Sequence, residues 1–372
     1  MDNEGNCFNT HASIKEAATK HFNNLLTEDK GVEDYSSMLQ HLFKGVTQEM
    51  NNSLRKEVEE EEIQAAIWSL HPDKAPGPDG FPICFYREYW QMIKNDLLKM
   101  IRWVLKKGKM GGFTNSTYLA LIPKENRPST FSRFRLISLC NSAYKIISKI
   151  LASRLKPHLP SLISENQGGF LPNRHITNSI LLVQEAIHSS LSRKEKGFVL
   201  KLDLANAFDR VRHTCLFVVL HKMGFDPSFI TMVKACITEP WISPLINGRP
   251  CAAFQSSRGL RQGCPLSPYL FILMAESLSQ TLDYNQRIGL IIGIKIEQGT
   301  KNINHSQFAD DTLLIGGASI TIARRFKKIL DQFMDYSGGK VNQIKSCIYG
   351  WNTPNHTIHS IASIFGVSCK LV

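Results

Sequence analysis

The sequence predicts an α+β fold, because strand-like and helix-like segments alternate along 372 residues without a strict strand–helix–strand repeat. Residues 118–123 and 197–204 have the short apolar patterns of buried strands, and residues 305–317 predict a strand, a tight turn and a second strand. Longer segments have apolar residues at helical spacing: 141–155, 176–190, 205–223 and 268–282. In the first of these helices we expect Lys145, Lys149 and Arg154 on the solvent side.

The first 70 residues are also predicted to be mostly helical, starting near residue 6. Phe22, Leu25 and Leu26 have the spacing of one helix face, and residues 59–62 are glutamates, which favour a helix start through the helix dipole. Residues 71–80 contain three prolines and two glycines, so we expect a turn-rich loop there, followed by an aromatic helix.

The composition is that of a globular protein that attracts polyanions. The formal net charge is +12, yet residues 1–62 contain 6 Lys and Arg against 13 Asp and Glu, so the positive excess lies in the remainder. Nucleic acid is the commonest polyanionic partner. The 9 cysteines form no C-x-x-C pair or zinc-type grouping, the start has no secretory leader, and no apolar run approaches the roughly 20 residues of a membrane span. We therefore expect a soluble intracellular protein without membrane contact.

Asp203 ends an apolar strand pattern, and we expect a helix to begin directly after it. A carboxylate at a rigid strand end can be a metal ligand held in a fixed position. The alternative, favoured for this residue by itself, is that Asp203 is the N-cap of the following helix.

Asp310 and Asp311 are adjacent carboxylates between two apolar strand patterns. Asn-Gly or Asp-Gly would suit a plain two-residue turn better, and two like charges side by side favour a bound cation. Mg²⁺ prefers a few carboxylates together with substrate phosphates. Together with Asp203, these residues suggest a two-metal phosphoryl-transfer site.

Residues 258–268 lie between the two acidic segments and contain glycines and prolines that interrupt regular structure. Arg258, Arg261 and Gln262 supply hydrogen-bond donors there. The alternative is a solvated loop that caps the strongly apolar helix after it.

The order of these segments resembles the reverse transcriptase family, specifically the LINE-type (non-LTR) retrotransposons of plants. The similarity to the three catalytic motifs lies in residues 201–211, 258–268 and 308–314. Further segments extend the resemblance over about residues 60–350: 73–80, which resembles the extra N-terminal motif of non-LTR elements, and 121–124, 134–139, 167–174 and 337–346.

The resemblance implies the metal-binding triad Asp203, Asp310 and Asp311, holding two Mg²⁺ ions with Mn²⁺ as a possible substitute, and makes Asp311 the less direct ligand. It implies that Phe208 is a steric gate against a ribose 2′-hydroxyl and that Gln262 contacts the sugar of the incoming nucleotide.

Further roles that the resemblance implies concern the triphosphate. Arg135 and Lys124 match its contacts, and Lys345 matches a lysine that protonates pyrophosphate, with Lys340 as a competing assignment.

The implied fold is a right-hand polymerase with fingers and palm subdomains and an antiparallel palm sheet. The implied division is an N-terminal helical extension (1–60), fingers (61–195) and a catalytic palm (196–372), with the reverse transcriptase domain at about 115–372.

Four departures from the family pattern are expected to matter. Leu136 replaces a usual proline, which we expect to loosen its strand. No primer grip follows Ile348, the thumb is absent, and there is no room upstream for an endonuclease. The chain is therefore expected to be a truncated piece.

The leading functional hypothesis is an RNA-directed DNA polymerase that extends a DNA primer on an RNA template with dNTPs. The alternative is a remnant that binds nucleic acid without copying it. A group II intron or telomerase type fits residues 73–80 and 134–139 less well. The resemblance implies action in the nucleus rather than the cytoplasm, and it leaves the oligomeric state open.

Overall fold

The computed structural model describes residues 8–28, 34–35, 39–297, 300 and 302–371. Within them the α+β prediction is confirmed, since helices surround two β-sheets. The predictions for the first residues, the absent leader and a helical start near residue 6, lie outside the described part.

The helices pack around both sheets and include short ones of one or two turns. In chain order they are α1 (His11–Leu26), α2 (Gln48–Leu54), α3 (Glu60–Ser69), α4 (Ile83–Glu88), α5 (Trp90–Lys107), α6 (Ser142–Leu155), α7 (Leu159–Leu162), α8 (Ile176–Ser192), α9 (His213–Met223), α10 (Pro227–Ile237), α11 (Ser267–Arg287), α12 (Ile320–Ser337) and α13 (Asn355–Phe365).

The strands form two separate sheets. They are β1 (Ser116–Pro123), β2 (Phe134–Cys140), β3 (Gly197–Leu202), β4 (Trp241–Ile246), β5 (Arg249–Pro250), β6 (Phe254–Gln255), β7 (His305–Phe308), β8 (Asp311–Gly317), β9 (Cys347–Trp351) and β10 (Ser368–Leu371). Strands β2, β1 and β4 are neighbours in the first sheet, with β5 and β6 both paired to β4. The second sheet has the order β10-β9-β3-β8-β7, antiparallel except for the parallel pair β9 and β10.

Helix α6 is buried on nearly all sides, which corrects the prediction of a solvent face carrying Lys145 and Arg154. Lys145 is 8% exposed, and its ammonium donates to the carbonyl of Ala75 at 2.8 Å. The Arg154 guanidinium forms an ion pair with Glu62 at 2.6 Å. The proline-rich loop 71–80 and α3 thus cover the polar side of α6, and each buried cation has a partner there.

The first sheet joins distant parts of the chain through its own small core. The apolar face of α1 lies on this sheet, with Phe22 packed in the same cluster as Leu119, Leu136 and Ile242. Leu136 pairs with Leu121 in the β1–β2 ladder, so the expectation that it loosens the strand was wrong. Unlike proline, leucine keeps its backbone N–H for the ladder.

The segment after β3 is not the helix that the sequence predicts. Leu204 bridges to Val341, and the N–H of Ala205 donates to the carbonyl of Lys340 at 2.8 Å. A short 3-10 turn follows at Phe208–Arg210, and α9 begins only at His213. Asp203 therefore caps no helix. The proposed division into residues 1–60, 61–195 and 196–372, and the absent thumb, stay predictions.

Among the described residues, no helix has both the length and the apolar character needed to cross a membrane.

Replacing Gly197 by alanine tests the packing of the second sheet. A Cβ at Gly197 would lie 2.2 Å from the Trp351 ring, which is 1% exposed. Because overpacking of this kind costs about 1–3 kcal/mol, we expect Gly197→Ala to lower the free energy of unfolding in urea by that amount. Gly111→Ala, where a Cβ meets nothing within 4 Å, is the control and should change it by less than about 0.5 kcal/mol. Equal stability of both variants would contradict this packing.

Candidate active site

Two predicted carboxylates lie together at one end of the second sheet. Leu202, the last residue of β3, pairs with Thr312 of β8, so Asp203 lies beside the turn formed by Ala309 and Asp310. The pKa of the Asp310 carboxyl is raised, chiefly by burial and also by the negative charges of Asp311 and Asp203. The register of β3 and β8 therefore brings like charges close enough to repel each other.

Asp311 has a different environment from the other two. It is the first residue of β8, pairs with Phe308 and is exposed. Within the described ranges, no three His, Cys, Asp or Glu side chains are grouped closely enough to hold a metal ion together. The donor set of Asp203 and Asp310 nevertheless fits Mg²⁺, which binds through one or two carboxylates and completes its shell with water and phosphate oxygens.

Cationic side chains from separate elements surround these carboxylates. The ammonium of Lys345, in the loop before β9, lies 4.0 Å from a carboxylate oxygen of Asp203. The competing Lys340 instead supplies its carbonyl to the N–H of Ala205. The ammonium of Lys345 thus lies beside Asp203, whereas the contact of Lys340 is made by its backbone.

Lys124 and Arg135 reach the same region from the first sheet. Arg135 lies on β2, opposite Ile122 of β1, and Lys124 follows the end of β1. The pKa of Lys124 is lowered, chiefly by burial and then by the positive charge of Lys345, with a smaller effect of Arg135. The negative charges of nearby aspartates oppose this shift. The pKa of Lys124 is thus affected both by the neighbouring cations and by the neighbouring aspartates.

Phe208 lies in the 3-10 turn after Asp203. Its ring stacks on Phe271 with centroids 4.7 Å apart and meets Phe170 edge to face at 6.4 Å. Its carbonyl accepts a hydrogen bond of 2.8 Å from the N–H of Leu260. The ring is therefore held from two sides while remaining partly exposed.

Gln262 is held by a buried acid that the sequence analysis did not identify. Its Nε2 donates to both carboxylate oxygens of Asp209, at 3.1 and 3.2 Å. Burial raises the pKa of Asp209 to about 7, against the opposing effects of the Gln262 hydrogen bond and the charge of Lys124. The backbone carbonyl of Gln262 accepts a hydrogen bond from the N–H of Ser138 on β2, so loop 258–268 is attached to the first sheet.

Arg258 and Arg261, the two arginines of loop 258–268, point into the protein. This corrects both predictions for them, since they are neither donors available to a ligand nor part of a solvated loop. Arg258 is 4% exposed and donates to the carbonyls of Leu25 and Asn24. Arg261 is 7% exposed and lies 4.1 Å above the Tyr144 ring. Their contacts are structural, and they attach the loop to α1 and α6.

Gln167 supports the turn that carries Asp310. Its Oε1 accepts from the N–H groups of Ala309 and Gly169, both at 2.8 Å, and its Nε2 donates to the Ala309 carbonyl at 3.3 Å. Ala309 has a φ of 58°, a left-handed conformation that needs such support. A Cβ at Gly169 would lie 2.3 Å from the Ala309 nitrogen. The two glycines after Gln167 were the only local sign of this close approach.

Comparison with known proteins identifies the class. Residues 122–358, more than half of the chain, match the family model described as reverse transcriptase (RNA-dependent DNA polymerase). The chain belongs to this family.

Individual relatives extend the similarity beyond the matched range. The chain is 26% identical over 334 residues to the transposon TX1 uncharacterized 149 kDa protein of Xenopus laevis, covering 90% of this chain and 25% of the relative. It is 28% identical over 308 residues to a retrovirus-related Pol polyprotein from the type-2 retrotransposable element R2DM of Drosophila melanogaster, covering 81% of this chain and 27% of the relative. An uncharacterized mitochondrial protein of Arabidopsis thaliana is 52% identical over 68 residues, 18% of this chain and 56% of that protein. The chain thus spans about a quarter of the length of the first two relatives.

Replacing Gln167 by alanine tests the support of the Asp310 turn. The N–H of Ala309 would lose its acceptor inside the protein, and one unsatisfied buried group costs about 1–3 kcal/mol. We expect Gln167→Ala to lower the free energy of unfolding by at least that amount and to accelerate hydrogen exchange of the Ala309 amide. Gln48→Ala, at an exposed position of α2, is the control. Unchanged exchange at Ala309 would contradict the assigned contact.

Proposed function

We propose that this chain is the RNA-directed DNA polymerase core of a LINE-type (non-LTR) retrotransposon, transferring nucleotides from dNTPs to a primer 3′-hydroxyl by a two-metal mechanism. The main observation behind the proposal is that Asp203 and the turn that carries Asp310 lie at the same end of the second sheet, with Lys345 beside Asp203. Similarity to proteins named for the transposon TX1 and the retrotransposable element R2DM supports the element class.

Asp203 and Asp310 would hold the divalent ions, Mg²⁺ or Mn²⁺ in its place, with Asp311 as a less direct ligand. When bound, these ions neutralise charge on the phosphates and activate the primer hydroxyl. The proposed fold around them is a right-hand polymerase, with the second sheet as its palm and the first sheet as its fingers.

The surrounding side chains bind and orient the nucleotide. Lys124 and Arg135 would contact the triphosphate, where the planar guanidinium of Arg135 matches phosphate oxygens in two-point hydrogen bonds. Lys345 would donate a proton to the departing pyrophosphate. Phe208 would exclude nucleotides with a 2′-hydroxyl, and Gln262 would contact the sugar.

The proposed partners are an RNA template and a DNA primer, and the proposed place of action is the nucleus. The positive excess beyond residue 62 favours binding of such a duplex, and this binding should weaken steeply with salt. A plant origin is supported by the 52% identity to the Arabidopsis thaliana protein.

Primer extension tests the proposed activity. We expect the purified chain to extend a DNA primer on an RNA template with Mg²⁺ and dNTPs. Asp203→Asn and Asp310→Asn should each lower the rate by at least about a hundredfold, because oriented negative charge for the cations is lost. Asp96→Asn is the control, since its side chain is 86% exposed on α5.

The outcomes separate the two hypotheses. Normal extension by either site variant would contradict the metal-site assignment. No extension by the unchanged chain, with salt-sensitive duplex binding retained, would leave the chain a binding remnant.

Phe208→Ala tests the gate. Removing the ring should open space for a ribose 2′-hydroxyl, so the preference for dTTP over UTP, measured as the ratio of kcat/KM values, is expected to fall about tenfold or more. Because the ring also stacks on Phe271, the variant should lose about 3 kcal/mol of stability. Phe217→Ala, at a half-buried position on α9, controls for that loss. An unchanged ratio would count against the gate.

A further inference from the structure

We infer that Asp209 is a positioning residue, which fixes the side-chain amide of Gln262 so that its carbonyl oxygen faces the incoming nucleotide. This inference rests on the proposed function, since it concerns how that site recognises the sugar.

The hydrogen bonds determine which end of the amide is available. Above its raised pKa the Asp209 carboxylate is ionised and only accepts, so the Gln262 group that lies 3.1 and 3.2 Å from its two oxygens is the NH₂ group. Oε1 is therefore left for a ligand. An oxygen in this position recognises a hydrogen-bond donor, and the hydroxyl of a nucleotide sugar is such a donor.

Without Asp209 the amide would have no fixed orientation. The two ends of a glutamine amide have nearly the same shape, and a rotation of 180° exchanges acceptor for donor. Asp209 is 6% exposed, so its hydrogen bonds to Gln262 are shielded from water and strengthened. Asp209 thereby selects one of the two orientations of the Gln262 side-chain amide.

Backbone hydrogen bonds fix the position of Asp209 relative to Gln262. The N–H of Gly259 donates to the carbonyl of Val211, and that of Leu260 to the carbonyl of Phe208, both at 2.8 Å. Gly259 has a φ of 96°, and a Cβ there would lie 2.8 Å from the Asp209 carbonyl oxygen. The loop therefore lies directly against the 3-10 turn, so Gln262 and Phe208 are positioned as one unit.

Discrimination between dTTP and ddTTP tests the inference, because the two nucleotides differ only in the 3′-hydroxyl. The full chain is assayed for single-nucleotide incorporation on a primed RNA template, and the ratio of kcat/KM values is compared among variants. Gln262→Ala should lower the ratio by about threefold to tenfold, the value of one hydrogen bond. Asp209→Leu should lower it as well, because leucine has a similar shape but no hydrogen-bond acceptor, so the Gln262 amide loses its fixed orientation.

The double variant Asp209→Leu/Gln262→Ala separates positioning from general damage to the fold. If Asp209 acts through Gln262, the double variant has the ratio of Gln262→Ala alone. Losses that multiply, or a normal ratio in Asp209→Leu beside a lowered one in Gln262→Ala, would overturn the inference. Glu276→Gln is a matched control, since it also replaces a buried, hydrogen-bonded carboxyl group.

Hydrogen exchange of the Gln262 side-chain amide can be measured without catalysis, so it tests the positioning role independently of the proposed function. The side-chain amide of Gln262, assigned by its disappearance in Gln262→Ala, should exchange slowly with solvent in the unchanged protein and faster in Asp209→Leu, which has no acceptor for it. Equal exchange rates would overturn the positioning role even in an active enzyme. A chain that shows the difference in exchange but extends no primer would overturn the proposed function alone.

Discussion

The structure of the site depends on the register of β3 against β8. This register, Leu202 opposite Thr312, places Asp203 beside the turn that carries Asp310, so negative charges accumulate at one sheet end. Such a concentration is unfavourable in the protein alone, and the pKa of Asp310 is raised chiefly by burial and also by the charges of Asp311 and Asp203. A fold that keeps this arrangement must hold the turn firmly and supply positive charge nearby.

The turn is supported by residues to which the proposed function assigns no chemical role. Gln167 binds both backbone groups of Ala309, and Arg174 donates to the Gln167 carbonyl at 2.8 Å. On the other side, Arg258 and Arg261 attach the loop of Gln262 to α1 and α6. Polar side chains that point into the protein thus hold the loops that carry Asp310 and Gln262.

The positive charge comes from three parts of the chain. Lys124 follows β1, Arg135 lies on β2 and Lys345 precedes β9, so the two sheets both contribute. The lowered pKa of Lys124 reflects burial and the repulsion of neighbouring cations. A bound anion would relieve that repulsion, and the triphosphate of the proposed function is such an anion.

The sequence by itself determined the features that depend on local pattern. The β7–β8 hairpin around Asp310, the loop 71–80 and the helix start near Glu60 follow from alternation, proline and glycine content and the helix dipole. The order of motifs likewise predicted the reverse transcriptase family, which the match over residues 122–358 confirmed.

Only the tertiary structure decided the features that depend on contacts between distant residues. Residues 205–212 have helical spacing, yet hydrogen bonds to Ser337 and Lys340 replace the helical ones before α9. Lys145 and Arg258 are cations that the sequence alone would place in solvent, yet both are buried and donate to backbone carbonyls of distant segments. Gln167 and Ala309 are 142 residues apart, so no local pattern reveals that one supports the other. A hydrogen bond between distant residues exists only once packing has brought its partners together.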